Sequence, residues 1–327
     1  MMKKILKTAL VLTMLSMGSQ ALAAKKIGLV VKVGGIPWFN AMEVGLKEKA
    51  KELGYDTVYI GPTSADPALQ VRAIEDLIAQ KVDVIGVVPN DAEVLEPVLK
   101  RAMEAGIKVI SHESPAQENV NWNFEMTTAQ SFGEAYMRSL CEALDGKGGY
   151  AIFVGGLTVP LHNAWADAAI AYQEKNCPDM KKVADRFGVA ENVDDSRRTA
   201  LDLMKSHEDL RGILAFGSQG PIGAARAVDE RDAKGKVIVM GPFSAGQGKR
   251  LVEKDVLYGG YIWNPLEAGK VFVTISDMLL KGEEFSDGMN IDGLDEVKID
   301  AENKDIYANK LVPLNKDTID ELADLGL

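Results

Sequence analysis

Two cysteines, three histidines and an aromatic content of 6% are sparse for a chain of 327 residues, and each scarcity closes off some chemistry. His112, His162 and His207 are too scattered to combine with Cys141 and Cys177 into a recognisable metal set. The chain has no G-x-S-x-G elbow, no H-E-x-x-H pair and no phosphate-binding lysine loop, so no set of nucleophile, base and orienting group emerges. There is no cationic cluster either. The formal charge is -11 with both signs spread along the chain, which argues against nucleic acid or an anionic membrane as partner. No Pro/Ser-rich linker or low-complexity segment divides the chain into beads on a string.

What is present begins with an address. Lys3, Lys4 and Lys7 precede an apolar run from Ala9 to Met17, and Ala21-Leu22-Ala23 follows. A basic segment, a short apolar segment and a small-x-small site make residues 1–23 a cleavable secretory signal peptide and predict a periplasmic product. The apolar run is about nine residues long, against the ~20 that span a bilayer, which disfavours an uncleaved anchor. Removing three lysines and no acids moves the formal charge from -11 to -14. The remaining ~300 residues exceed what one core usually holds and favour two lobes. In an exported chain an even number of thiols reads as a disulfide. Cys141 falls near the end of the helical stretch 127–144 and Cys177 just after the stretch 161–176, so both can sit at one end of one lobe. Two buried free thiols are the alternative, because sequence does not give the Cα separation a bridge needs.

From Lys26 onward, short β-branched runs alternate with helical stretches, the signature of βαβ units around parallel sheets. Ile27-Gly28-Leu29-Val30-Val31, Thr57-Val58-Tyr59-Ile60, Val84-Ile85-Gly86-Val87-Val88 and Lys108-Val109-Ile110-Ser111 predict strands, with helices near 38–53, 67–80 and 91–105. After 121–126 the cycle restarts with strands at 150–154, 182–187, 212–216 and 237–240 and helices near 161–176, 194–206 and 219–232. A strand near 257–263 and the segment 291–299 are candidates for further crossings between the lobes. The expected fold class is α/β, two doubly wound parallel-sheet lobes.

Ligands of such sheets sit outside the carboxyl ends of the strands, so candidate residues come from the turns there. Trp38 and Phe39 open a helix directly after the first strand and offer ring faces for the C–H face of a sugar, or plug the core beneath the loop. Lys32 at the strand tip can donate to a hydroxyl or carbonyl. Asn90 follows the third strand. Glu113 ends the fourth, where a carboxylate can accept two hydroxyl protons or serve as a cap or salt-bridge partner. His112 should point the other way. His162 and Asn163 stand at a helix start, as ligand donors or as an exposed imidazole and a cap. Ser218 and Gln219 lie in Gly217-Ser218-Gln219-Gly220-Pro221-Ile222-Gly223, whose glycine spacing is not that of a dinucleotide loop, and no ribose-binding acid ends the next strand. They are ligand hydrogen-bonders or turn formers. Trp263 and Asn264 complete the set. No metal and no cofactor is expected.

Pro37-Trp38-Phe39, Val109-Ile110-Ser111-His112-Glu113, the stretch 215–220, Met240-Gly241-Pro242-Phe243, and Trp263-Asn264-Pro265 followed by Ala268-Gly269 occur in an order that resembles the type I periplasmic solute-binding proteins of ABC importers. The resemblance covers nearly all of the mature length and is nearest to the ribose-, rhamnose- and autoinducer-2-binding branch. It implies two lobes joined by a three-segment hinge, with residues 24–124 plus 264–292 in the first lobe and 125–263 plus 293–327 in the second. It also implies a small polyhydroxylated solute held between the lobes, a monomeric carrier that is not an enzyme, and delivery to an ABC permease; a sensor that hands its signal to a membrane receptor is the alternative. Trp38 and Phe39 look like the family's aromatic pair, Glu113 stands where ribose binders use Asp, and Lys32 resembles a lysine of the autoinducer-2 binders. Ser114 replaces the Arg that usually follows the acid, Phe243-Ser244 lacks the acid of the Gly-Phe-Asp turn, and Leu161-His162 replace an Asp-Gln pair. These departures point to another sugar, sugar derivative or polyol. Sugar-responsive repressors share the fold but carry a DNA-binding segment where this chain has a signal peptide.

Overall fold

The computed structural model describes residues 24–327, so the expected signal peptide at 1–23 lies outside the described residues. The first sheet grows from β1 (Lys26–Val30), α1 (Pro37–Leu53), β2 (Asp56–Ile60), α2 (Pro67–Ala79), β3 (Val84–Val87), α3 (Ala92–Glu104), β4 (Lys108–His112) and β5 (Trp122–Glu125). These strands pair in parallel in the order β2-β1-β3-β4-β5. β3 is buried throughout and β1 after its first residue, which is why both read as continuous apolar runs rather than as alternating patterns.

The second lobe is built from α4 (Ala129–Ala143), β6 (Gly148–Val154), α5 (Pro160–Asn176), β7 (Met180–Lys182), β8 (Phe187–Gly188), α6 (Val193–Ser206), β9 (Leu210–Phe216), α7 (Gly220–Glu230), β10 (Ile238–Met240), α8 (Ala245–Glu253) and β11 (Gly260–Ile262). Its order is β10-β9-β6-β7, with β8 pairing further along β6, again all parallel. The single strand expected near 182–187 is therefore two short pieces.

The chain then returns to the first lobe in α9 (Pro265–Lys281), which packs on α1. A small hairpin, β12 (Asn290–Ile291) and β13 (Asp295–Glu296), precedes β14 (Lys298–Asp300) and β15 (Asp305–Tyr307). β15 adds in parallel beside β5, and β14 lies antiparallel outside it. Finally β16 (Val312–Leu314) pairs with β11, and α10 (Ile319–Asp324) packs on α8. The lobes are thus two doubly wound parallel sheets joined by three segments, at 125–129, 262–265 and 307–312. The last differs from the expected boundary at 292/293. Residues 298–307 belong to the first sheet, where Asn123 Nδ2 on β5 donates to Glu125 Oε1 at 2.9 Å and across to Asp305 Oδ1 on β15 at 2.8 Å.

Two close helix contacts set the walls of the inter-lobe cleft. A Cβ on Gly269 of α9 would lie 2.0 Å from Met42 O of α1, and one on Gly133 of α4 would lie 2.3 Å from Trp165 O of α5. Only glycine allows these approaches. The first pair holds Trp38 against Trp263, ring centroids 5.5 Å apart and nearly perpendicular; the second holds Trp165 against Phe132 at 4.5 Å.

Cys141 and Cys177 form a disulfide, with Cα atoms 6.3 Å apart. It ties the end of α4 to the end of α5 and locks the pair that carries the second wall. Closing a loop with a sequence separation of 36 is worth about 3–4 kcal/mol in the chain-entropy account. The Cys141→Ala/Cys177→Ala variant is expected to lose that much stability in denaturant unfolding; an unchanged midpoint would show that the α4–α5 packing alone holds the wall.

Candidate functional site

The ends of the parallel strands in both sheets face one another across the cleft. From the first lobe come Lys32 beyond β1, Trp38 and Phe39 in the first turn of α1, and Glu113 directly after β4. The second lobe contributes His162 and Trp165 of α5, Glu191 ahead of α6, Gly217 and Ser218 after β9, and Pro242 after β10. Trp263 sits in the second hinge segment. Together these side chains enclose a cavity of about 20 Å³, room for about one water molecule. Typical ligand pockets hold ~300–1,000 Å³, so a solute of sugar size enters only if the lobes part.

A buried charge set fills the centre. Lys32 Nζ donates to Glu113 Oε2, and both side chains are almost fully buried. Lys32 reaches Glu113 across the end of β3, and the loop there is braced: Asn90 Nδ2 donates to Lys32 O at 2.9 Å, while Gln70 Nε2 donates to Val31 O at 3.1 Å and Val88 O at 2.8 Å. Glu113 itself has φ 59°, a left-handed conformation that costs a side-chain-bearing residue ~1–3 kcal/mol. That turn breaks the strand's alternation and aims the carboxylate at Lys32, while His112 stays in the core, stacked on Phe124 at 4.3 Å.

His162 reaches this pair from the other lobe. The Gly155 N–H donates to its Nδ1 at 3.0 Å, which leaves the ring proton of the neutral imidazole on Nε2. Nε2 lies 3.0 Å from Lys32 Nζ and 3.6 Å from Glu113 Oε2, so its N–H stands beside the ion pair, just beyond hydrogen-bond distance of the carboxylate. Burial and the Lys32 charge lower the His162 pKa to about 4, against the opposing pull of Glu113. For Glu113, burial works against ionisation, but the Lys32 charge and the nearby His162 imidazole outweigh it and hold its pKa well below the usual carboxylate range. Glu191 behaves oppositely: burial pushes it up to about 7, with Lys32 opposing and Glu113 adding to the rise.

Helix starts add a weaker polarity. α1, α5, α7 and α8 begin at the cleft without a side-chain cap, whereas Asp66, Asp91, Thr128, Asn192 and Asn264 cap α2, α3, α4, α6 and α9. Uncapped N–H groups favour acceptors, worth ~0.3–1 kcal/mol each at exposed ends, less than a full charge ~5 Å away in a buried site.

Of the expected residues, the structure brings Lys32, Trp38, Phe39, Glu113, His162, Ser218 and Trp263 together. The others stand behind or beside the cavity. Asn90 braces Lys32 and, by accepting from Thr158 Oγ1 at 3.1 Å through its carbonyl, links the lobes. Asn163 Nδ2 donates to the carbonyls of Gly156, Leu157 and Val159, and its Oδ1 accepts from Arg186 at 2.9 Å. Gln219 Nε2 donates to Ser218 Oγ at 3.1 Å, and the Gln219 and Gln247 amides exchange hydrogen bonds. Asn264 Oδ1 caps α9 by accepting from Leu266 N and Glu267 N. Trp165 and Glu191 are cleft residues that the strand-end turns did not single out. Among the described residues, the Nε1 groups of Trp165 and Trp263 and Glu191 Oε2 have no hydrogen-bond partner.

This arrangement defines a class: a two-lobed protein with aromatic faces and buried hydrogen-bonding groups gathered in the cleft between its lobes. Residues 27–284 match the periplasmic binding protein domain, and the chain belongs to that family. It is 23% identical over 275 residues to the ribose import binding protein RbsB of Salmonella typhimurium, covering 82% of this chain and 89% of that protein. It is also 26% identical over 230 residues to a D-ribose/D-allose-binding protein of Pseudomonas aeruginosa, 66% and 70% of the two chains. In structure it is similar to an ABC transporter solute-binding protein of Clostridium phytofermentas with bound L-rhamnose, with a TM-score of 0.85, 21% identity and 92% and 99% coverage. LsrB of Clostridium saccharobutylicum in complex with AI-2 has a TM-score of 0.84, 18% identity and 90% and 99% coverage. These relatives are solute-binding proteins, and the chain is a binding protein rather than an enzyme. No helix of the described residues is long and apolar enough to cross a membrane.

The raised Glu191 pKa has a consequence for stability. Its folded pKa of about 7 lies above the ordinary 4.5, so the stability it contributes is present below pH ~4.5 and is lost as pH rises through 7. The loss amounts to about 3 kcal/mol. The Glu191→Gln variant is expected to gain on the native chain by roughly that amount between pH ~4.5 and ~8 in denaturant unfolding; a pH-independent difference would contradict it.

Proposed function

We propose that the protein captures a small sugar, sugar derivative or polyol between its lobes in the periplasm and presents the closed form to an ABC permease. The carrying observation is the cleft itself: four aromatic side chains, Trp38, Phe39, Trp165 and Trp263, surround a buried set of Lys32, Glu113 and His162 contributed by both lobes. Ring faces suit the C–H faces of a sugar, and a hydroxyl both donates and accepts, so it can replace each bond of the charge set in turn. The names of the relatives, with ribose, allose and rhamnose among their ligands, support this reading. Export rests on the basic and apolar residues of 1–23, which read as a signal peptide.

Closure follows as a population shift. A solute that touches Lys32 and Glu113 on one lobe and His162 on the other stabilises the closed state only through contacts absent from the open one. Calorimetry against a panel of pentoses, hexoses, deoxy-sugars and polyols is expected to find a binder. Trp38→Ala and Glu113→Ala are each expected to weaken it by at least ~1 kcal/mol, through loss of a stacked face and of a charged hydrogen bond. Binding by no member of the panel, or unchanged affinity in both variants, would overturn the proposal.

A further inference from the structure

The cleft holds two carboxylates for one ammonium. Glu113 is already engaged by Lys32, and His162 presents an N–H rather than a charge. That leaves Glu191, whose Oε1 is 3.9 Å from His162 Nε2 and whose Oε2 is buried without a partner among the described residues. Among the described residues lining the cleft there is no second Lys or Arg. The ionisable groups around Glu191 are Lys32 at the end of β1, Glu113 at the end of β4 and His162 on α5. The starts of α1, α7 and α8 and the second hinge segment bring only aromatic, glycine, serine and proline residues to the cavity.

We propose that Glu191 is a specificity-determining residue that admits neutral polyhydroxylated solutes and rejects the corresponding sugar acids, an inference that rests on the sugar-binding reading above. A solute hydroxyl can donate to Glu191 Oε2 while accepting from Lys32 or from His162 Nε2–H. A carboxylate in the same place has no proton to give. It meets Glu113 and Glu191 together, and the one lysine is already paired. The helix starts at the cleft favour an acceptor, but the same N–H groups serve a hydroxyl oxygen equally and so do not select for the acid.

The titration of this cleft makes the inference separable from general effects of charge. Glu113 is held ionised and His162 neutral above pH ~5, whereas Glu191 changes charge around 7. Sugar carboxylates remain anionic throughout that range. Discrimination against acids should therefore weaken as Glu191 takes up its proton.

The test is calorimetric affinity at about pH 8 and about pH 5.5 for four matched pairs: D-glucose and D-glucuronate, D-galactose and D-galacturonate, D-ribose and D-ribonate, L-rhamnose and L-rhamnonate. In the pair whose neutral member binds best, the acid is expected to bind at least ~100-fold more weakly at pH ~8. That ratio should fall ~10-fold at pH ~5.5, and equally in Glu191→Gln, where it no longer changes with pH. An acid bound as tightly as its neutral partner at pH ~8, or a ratio that neither pH nor the substitution alters, overturns the role of Glu191 and leaves the sugar reading standing. Failure of these eight compounds and of every sugar and polyol in the panel above to bind overturns the sugar reading, and this inference with it. Because the pH series uses the native chain, the test does not depend on the variant folding.

Discussion

The buried ion pair between Lys32 and Glu113 is the constraint around which the cleft is organised. Neither charge can be left alone: removing one partner of such a pair strands the other at a cost of ~3–5 kcal/mol. The sequence meets this demand with several devices. The ends of β1 and β4 are separated by the end of β3, so Asn90 and Gln70 fix the intervening loop and bring Lys32 within reach of Glu113. Glu113 accepts a left-handed backbone to point at it. His162, from the other lobe, brings its Nε2 to 3.6 Å from the Glu113 carboxylate. The pair therefore belongs to one lobe but is completed by the other, and that makes it a point where closure is felt.

Around this centre the aromatic residues form a continuous bridge. Trp38 of the first lobe meets Trp263 of the hinge, which meets Trp165 of the second lobe at 5.4 Å, and Trp165 stacks on His162 at 5.0 Å. A solute that opens the charge set must also displace or slide along these rings. The glycines at α1–α9 and α4–α5 and the disulfide between α4 and α5 hold each wall together, and among the described residues the chain passes between the lobes at 125–129, 262–265 and 307–312.

Much of this was legible in the sequence because parallel, doubly buried strands write themselves as β-branched runs: β1, β3, β4, β6 and β9 all lie where such runs predict. The third crossing was not, because β14, β15 and β16 are three residues each and carry no periodic pattern. Glu191 escaped for a related reason. The strand before it is split into β7 and β8, so no clear strand tip pointed to the turn that carries it. Asn163, Gln219 and Asn264 occupy turns of the expected kind, yet their amides are consumed by helix ends and neighbouring carbonyls. A polar residue at a helix start faces two claims, one from the backbone and one from the ligand, and only geometry decides between them. The two cysteines illustrate the same limit, since their bridge depends on a distance that the sequence does not contain.

The central claim is that solute recognition works by replacing the closed charge set of Lys32, Glu113 and His162. A crystal structure of the protein grown with its best-binding sugar tests this most directly. The account predicts solute hydroxyls within hydrogen-bond distance of Lys32 Nζ, a Glu113 oxygen and His162 Nε2, with a ring face against Trp38 or Trp263. A solute bound elsewhere, with the Lys32–Glu113 pair and its contact to His162 undisturbed, would contradict it.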